Sequence, residues 1–270
     1  MTTRESWNHA TRNHNAHKGD QAAFLRNGGD TLFDEEFQLL GDLQGRTLLH
    51  LQCNAGQDTL CLARRGAVVT GVDFSSEAIG FARGLSRDTQ LPAQFVEADA
   101  LDWLEETSQR FDVAFSSYGA VGWLPDLTRW ARGLARVLNP GGRFVYVEFH
   151  PLVWSVGKTL RLDGDDYFAA TPFVEPVGDY VMASGAALGA LTPAPSVENT
   201  IPATSWQYGL GQVVTALAQA GLVLETLVEW PYSNGCKVHA SLVPDGPRRW
   251  KWPEGCARVP LMFGVVVRRA

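Results

Sequence analysis

Two rhythms of apolar and polar positions alternate along this chain. Short unbroken apolar runs, the pattern of strands buried on both faces, occupy 47–52, 67–73, 94–97, 111–116 and 143–149. Between them apolar residues recur three and four apart, which predicts helices over 57–65, 76–87, near 101–107 and over 125–138. The stripe Ala78, Ile79, Ala82 and Leu85 marks the second of these, and Leu127, Trp130, Ala131, Leu134 and Leu138 the fourth. Gly66 ends the first helix, and Asn139-Pro140-Gly141-Gly142 ends the last before the next strand begins. Upstream, Phe33, Phe37 and Leu40 predict a helix over 31–40 capped by Thr31, and 1–20 reads as an amphipathic or irregular lead-in. Strands and helices that alternate in this way build a mostly parallel sheet covered on both sides.

The alternation breaks at 151–205, a stretch rich in Gly, Pro, Ala and Thr with short apolar pieces. A gap of that length inside an α/β fold is usually functional, and it predicts an inserted cap with some β-structure. Order resumes with a helix at 209–220, stopped by Gly221, and strands at 222–230 and 261–268. The expected fold is therefore α/β and doubly wound. Its sheet has seven mostly parallel strands with the last antiparallel, and a cap follows strand five. The expected division is 1–40 as an N-terminal helical lid, 41–150 as a nucleotide-binding core, 151–208 as a substrate cap and 209–270 as the end of the core sheet.

Chemistry concentrates in the first two units. LLHLQCNAGQDTLCLA (48–63) runs a buried strand into a tight turn that opens a helix, and VVTGVDFS (68–75) ends a second strand on Asp73. An acidic residue about 20 positions past such a turn bonds ribose hydroxyls. The turn resembles the first motif of the class I, Rossmann-like S-adenosylmethionine-dependent methyltransferases of small-molecule type. His50 stands where that family usually has Asp or Glu, Gln52 and Asn54 replace two glycines, and Gly56 is kept. Further matches follow in order: AQFVEADAL ending on Asp99, FDVAFSSYGA at 111–120, and the Asn-Pro-Gly-Gly turn of LNPGGRFVYVEFHP. The resemblance covers 44–149, and more weakly 209–269. It implies S-adenosylmethionine as cofactor, with Gln52, Cys53, Asn54 and Gly56 at its amino acid end. Asp73 would then meet the ribose, Phe74 the adenine ring, and Asp99 with the neighbouring Ala100 the adenine edge, while Ser75 and Ser116 complete the lining.

Composition narrows the partners. The chain has 270 residues, 45% hydrophobic and 19% charged, with net charge −6, enough for one full core with an insertion. No basic stripe favours nucleic acid, and no apolar run reaches a membrane span. The polar N-terminus lacks a secretory apolar core. Cys53, Cys61, Cys236 and Cys256 form no CxxC pair, so the reading is a cytoplasmic protein with reduced thiols and no metal site. The run Asp163-Gly164-Asp165-Asp166 reads as a solvated turn, since the glutamate a calcium loop needs is missing.

Substrates of doubly wound sheets bind beyond the carboxyl ends of the strands. That nominates Tyr118 after strand four, and Glu148 and His150 at the end of strand five, as catalytic residues. His150 leads as general base because imidazole titrates near neutrality; the plainer reading is that its ring bonds the backbone of the following turn. His239 is a second candidate. Trp7, His14 and His17 of the lead-in are placed to touch cofactor or substrate if it forms a lid. Aromatics in and after the insertion, among them Trp154, Tyr167, Trp206, Tyr232, Trp250 and Trp252, suggest an aromatic-walled pocket. The expected function is methyl transfer to a small, aromatic or hydrophobic metabolite, with N-, O- and C-acceptors unseparated and a homodimer possible. The alternatives are a nicotinamide-dependent oxidoreductase on a related sheet and a cofactor-binding protein without catalysis.

Overall fold

The computed structural model describes residues 2–184 and 195–270; the predicted insertion contains 185–194, which lie outside the described residues. The main sheet has seven strands: β1 (Thr47–Leu51), β2 (Val68–Asp73), β3 (Gln94–Glu97), β4 (Phe111–Ser117), β5 (Leu138–Phe149), β6 (Leu222–Trp230) and β7 (Met262–Arg269). Their spatial order is β3-β2-β1-β4-β5-β7-β6. The first five run parallel, while β7 is antiparallel to both β5 and β6. The last strand in the chain thus does not sit at the edge. It fills the slot between β5 and β6, where Phe263, Val265, Val266 and Val267 are fully buried.

Side-chain alternation divides the apolar residues between two layers. Leu49, Leu51, Ala114, Phe144 and Tyr146 face one cluster with Trp130, Leu134 and Leu217, whereas Leu48, Val113, Phe115 and Val145 face another with Leu60 and Ile79. The helices that supply these layers are α4 (Gln57–Arg64), α5 (Ser76–Thr89), α6 (Ala100–Glu106), α7 (Leu127–Val137) and α8 (Leu210–Gln219). They follow α1 (Thr2–His17), α2 (Gln21–Arg26) and α3 (Asp34–Leu40). Trp130 is held edge-on to Phe144 and Tyr146 at 5.5 and 5.9 Å. Truncation of so large a buried ring costs about 3–5 kcal/mol.

One expectation needs correction, and two segments gain detail. The lead-in is a 16-residue helix, in keeping with a helical lid. Its buried face includes Ser6, Thr11, Asn13, His14 and His17, which no apolar periodicity reveals. Thr31 does not cap the next helix: α3 starts at Asp34, and Glu36 reaches back to accept the Phe33 N–H at 2.8 Å. The span between β6 and β7 is not a plain connection. It carries a three-stranded sheet of Tyr232–Asn234, Arg249–Lys251 and Val243–Pro244, closed over its own small core of Val153, Leu242, Trp250, Trp252 and Leu261. In the insertion, Phe173–Pro176 pairs antiparallel with Pro202–Ser205, and this hairpin packs on α1 through Ala10, Val177 and Ala203.

Candidate functional site

The turn after β1 uses left-handed backbone at three positions: Gln52 (φ 56°), Asn54 (φ 47°) and Gly56 (φ 79°). That conformation is cheap for Gly and tolerable for Asn, but costs a residue such as Gln roughly 1–2 kcal/mol. Hydrogen bonds offset the strain. Gln52 Nε2 donates to the Ala120 carbonyl at 2.7 Å, the Cys53 N–H to the Val72 carbonyl at 3.0 Å, and the Ala55 N–H to Asn54 Oδ1 at 2.7 Å. Gln52 Oε1 is buried with no partner among the described residues. At Gly56 a Cβ would stand 2.6 Å from the Ala82 Cβ, so α4 and α5 can approach only because the residue is glycine. His50 is buried with Nδ1 2.8 Å from Thr59 Oγ1, and burial pushes its pKa down to about 4. A neutral imidazole therefore ties β1 to α4 at the position where the resembling family carries an acid. The Cys53 thiol is pushed well up by burial and by the Asp73 charge, which makes it packing rather than a nucleophile.

Asp73 ends β2 at the lip of this turn. Its Oδ2 accepts the Asn54 N–H at 2.8 Å and its Oδ1 the Ser75 N–H at 2.9 Å. Burial pushes its pKa up to about 6 against these donors. Each carboxylate oxygen has more than one acceptor direction, so two backbone bonds do not exhaust it. Phe74 is half-buried beside it. Ser75 caps α5 by accepting the Ala78 N–H at 3.1 Å. Asp99 is exposed at the neighbouring strand end and caps α6 through Oδ1 alone, bonding the Leu101 and Asp102 N–H groups. The Ala98 N–H joins the two tips by donating to the Asp73 carbonyl at 3.0 Å. Ala100 is buried as the first residue of α6.

Beyond β4, Ser116 is buried and its Oγ donates to the Leu51 carbonyl at 3.3 Å. Tyr118 takes the left-handed region (φ 41°), packs its ring at a tilt of 35° against Phe149 with centroids 5.2 Å apart, and has a buried hydroxyl with no partner among the described residues. Glu148 is saturated by donors: the Gly119, Ala120 and Phe149 N–H groups and the Tyr146 hydroxyl at 2.5–2.9 Å. It clamps the turn after β4 to β5. His150 falls one residue past the end of β5. Its Nδ1 accepts the Leu152 N–H at 3.2 Å and its Nε2 lies 3.0 Å from Glu229 Oε1. Both ring nitrogens are engaged, which favours the plainer reading of His150 over the general-base one. His239 is likewise engaged, with the Val156 carbonyl and the Ser241 N–H. Most aromatics of the predicted pocket wall are structural: Trp250 and Trp252 fill the small core, the Tyr232 hydroxyl bonds Glu35, and the Tyr167 hydroxyl accepts the Leu210 N–H.

On α1, sequence reasoning named Trp7, His14 and His17 but missed Asn8 and Asn15. Asn8 accepts from Ser75 Oγ at 2.7 Å and donates to Ser76 Oγ at 3.3 Å, which docks α1 on the tip of β2. Asn15 Oδ1 accepts from both Gln21 and Gln57 at 3.3 Å. Trp7 meets Trp123, which follows β4, edge-on at 5.2 Å. His14 and His17 face Gly178 and Asp179 of the insertion. Among the described residues no group of three or more His, Cys, Asp or Glu is arranged for a metal ion. The helix covers the tip of β2 and reaches Trp123 beyond β4, and the insertion holds it there.

Residues 48–142 match the family of methyltransferase domains, and that span contains β1 to β4, both acidic tips and the start of β5. Over that span the chain carries a methyltransferase domain, on the Rossmann-like fold of the S-adenosylmethionine-dependent methyltransferases. It is 30% identical over 109 residues to a ubiquinone biosynthesis O-methyltransferase of Alkalilimnicola ehrlichii, a match covering 40% of this chain and 44% of that protein. An uncharacterised methyltransferase of Synechocystis sp. is 35% identical over 144 residues, 52% of this chain and 65% of its own. The matched stretch thus spans less than half of the ubiquinone-pathway relative and under two thirds of the other. Among solved structures, an S-adenosylmethionine-dependent methyltransferase of Mesorhizobium loti superposes with TM-score 0.56 at 20% identity, over 90% of this chain and 99% of that one. A geranyl diphosphate C-methyltransferase of Streptomyces coelicolor gives 0.52 at 14%, over 87% and 78%. These structures share the methyltransferase fold. The methyltransferase-domain match displaces the nicotinamide-dependent alternative, which the reversed β7 and the missing GxGxxG also oppose. No helix among the described residues is long and apolar enough to cross a membrane.

Proposed function

We propose that this methyltransferase transfers the methyl group of S-adenosylmethionine to a small, flat or apolar metabolite. The observation that carries the reading is the pair of carboxylates, Asp73 and Asp99, at adjoining strand tips beside the strained Gln52–Gly56 turn, with α1 docked on the tip that bears Asp73. The residues fit the cofactor. Asp73 keeps acceptor capacity for ribose hydroxyls, Asp99 keeps Oδ2 for an adenine amine, Phe74 offers a ring face, and Gln52 Oε1 is an orphaned acceptor at the amino acid end. The bound cofactor supplies an electrophilic methyl on a sulfonium, and the chain's task is to align an acceptor with it and exclude water. In this reading 1–40 is the lid, 41–150 and 209–270 form the core, and 151–208 is the acceptor-side cap. The protein works in the cytoplasm without nucleic acid, as a monomer or a homodimer that sedimentation distinguishes.

Calorimetry with S-adenosylhomocysteine tests the cofactor half. Binding is expected in the wild type and lost or strongly weakened in Asp73→Ala; no binding, or unchanged binding in the variant, rejects the assignment. Transfer from methyl-labelled cofactor to phenols, aromatic amines and indoles tests the acceptor class. Cofactor affinity with no turnover on any acceptor favours the non-catalytic alternative.

A further inference from the structure

We propose that His14, on the lid helix, is the proton acceptor for a hydroxyl-bearing methyl acceptor of the phenol class. The proposal rests on the methyltransferase reading and adds the group that handles the proton. Its Nε2 lies 3.1 Å from the Gly178 carbonyl oxygen. A carbonyl only accepts, so Nε2 carries the hydrogen, and a neutral imidazole then leaves Nδ1 as a bare lone pair. The residue is 1% exposed. Its Nδ1 has no hydrogen-bond partner among the described residues. Buried acceptors are ordinarily satisfied, so this one awaits a donor that the described residues do not supply.

The surroundings describe that donor. Trp7, Thr11 and His14 lie four and three residues apart, on one face of α1. Trp7 Nε1 and Thr11 Oγ1 are also buried without partners among the described residues. The Tyr180 ring stands 4.2 Å from the His14 ring and Trp7 6.4 Å from it, edge-on. Trp7 in turn meets Trp123, which the turn after β4 carries to the carboxyl end of the sheet. An aromatic wall with unfilled polar atoms and a lone pair suits a flat ring bearing a hydroxyl. His17 stands one turn on, with Nε2 3.0 Å from Asp179 Oδ2; the same carboxylate lies 3.9 Å from His14 Nε2.

In the step, the acceptor oxygen forms its bond to the methyl carbon, and the carbon–sulfur electron pair stays on sulfur, leaving a neutral thioether. The hydroxyl proton passes to His14 Nδ1, and the imidazolium that results faces Asp179 until it returns the proton to solvent. Burial and the neighbouring Lys18 push the His14 pKa down to about 4, against Asp179 and the Gly178 carbonyl, with His17 also lowering it. The ring is therefore neutral and ready to accept at pH 7. A weak base suffices, because a phenol of pKa about 10 becomes far more acidic once its oxygen bonds carbon. The groups facing His14 are His17 on α1, Lys18 just past its end, and Asp179 and Tyr180 on the insertion.

The test uses the full chain as wild type, His14→Gln and His17→Gln. Nitrogen-15 spectra of the histidine rings should show His14 protonated on Nε2 alone, with Nδ1 shifting when S-adenosylhomocysteine and phenol are added together. S-adenosylhomocysteine should bind His14→Gln as it binds wild type. Labelled methyl transfer to phenol should fall about 10²–10⁴-fold in that variant, mostly in kcat. The loss should shrink for nitrophenols, which are already ionised near neutral pH, and should recover about tenfold per pH unit with phenol itself. Failure of the wild type to bind S-adenosylhomocysteine sinks the methyltransferase reading. With that binding intact, a protonated Nδ1, an equal loss across phenols of different acidity, no loss at all, or no transfer to any phenol overturns the role of His14.

Discussion

Cofactor affinity should climb with pH between 5 and 7, and Asp73 should be the cause. Its carboxyl is buried, held by the Asn54 and Ser75 N–H groups, and pushed up to about 6. Ribose hydroxyls donate, so they favour the charged form, and binding must pull the proton off wherever the free site still holds it. With a pKa of about 6 the carboxyl is about 9% ionised at pH 5 and about 91% at pH 7, so affinity should rise about tenfold across that window and level off above it. For the free protein the sign is opposite. A carboxyl raised above its unfolded value adds stability at low pH and loses it as pH rises from about 4 to about 6, and the cofactor reverses that loss. His14 and His50, near 4, and Glu36 and Lys18, near 8, titrate outside this window. Asp73→Asn keeps the size but offers one acceptor oxygen and turns an NH₂ toward a backbone donor. The loss of one charged hydrogen bond costs about 2 kcal/mol, or about 30-fold in affinity, and the pH slope should vanish. Calorimetry of S-adenosylhomocysteine at pH 5, 6, 7 and 8 on both proteins reads this directly. A flat wild-type profile, or the same slope in Asp73→Asn, would refute the reasoning.

Gly56→Ala forces a Cβ to within 2.6 Å of Ala82 at φ 79°. It should lower stability by about 2–4 kcal/mol, visible in thermal melts, and weaken S-adenosylhomocysteine binding because the strained turn must shift. Glu148→Gln places an amide among four donors. It should destabilise by about 2–4 kcal/mol in urea titrations; an unchanged midpoint would mean the clamp does not exist. His150→Gln should leave methyl transfer far above the 10²-fold or greater loss expected for a missing general base, since both its ring nitrogens are already bonded.

Much of the core could be read from sequence for a physical reason. Parallel strands covered on both faces must be apolar without interruption, so β1, β2, β4 and β5 stand out, and Gly66 and Asn139-Pro140-Gly141-Gly142 mark where the chain must turn. Strand tips come with the strands, which is why Asp73 and Asp99 could be named in advance. The roof was legible only in outline, as a helical lid over 1–40. The buried face of α1 includes Ser6, Asn13, His14 and His17, polar residues with no apolar rhythm, and they are buried because of partners such as Val177, Gly178, Asp179 and Asn199, far along the chain. The two histidines make the point most sharply. His150 and His14 have the same intrinsic chemistry, and position at the end of β5 recommended the first. Strand alternation fails there: β5 ends at Phe149, Glu148 turns to the Gly119–Ala120 turn, and His150 turns to Glu229. A second bond from the Leu152 N–H then consumes its other nitrogen. Among the described residues His14 has a single bond, to a carbonyl that fixes its tautomer, and keeps a lone pair in reserve. Residue type sets what an imidazole can do. Which imidazole remains free to do it depends on what already occupies its two nitrogens, and that is a property of the folded neighbourhood that no local pattern encodes.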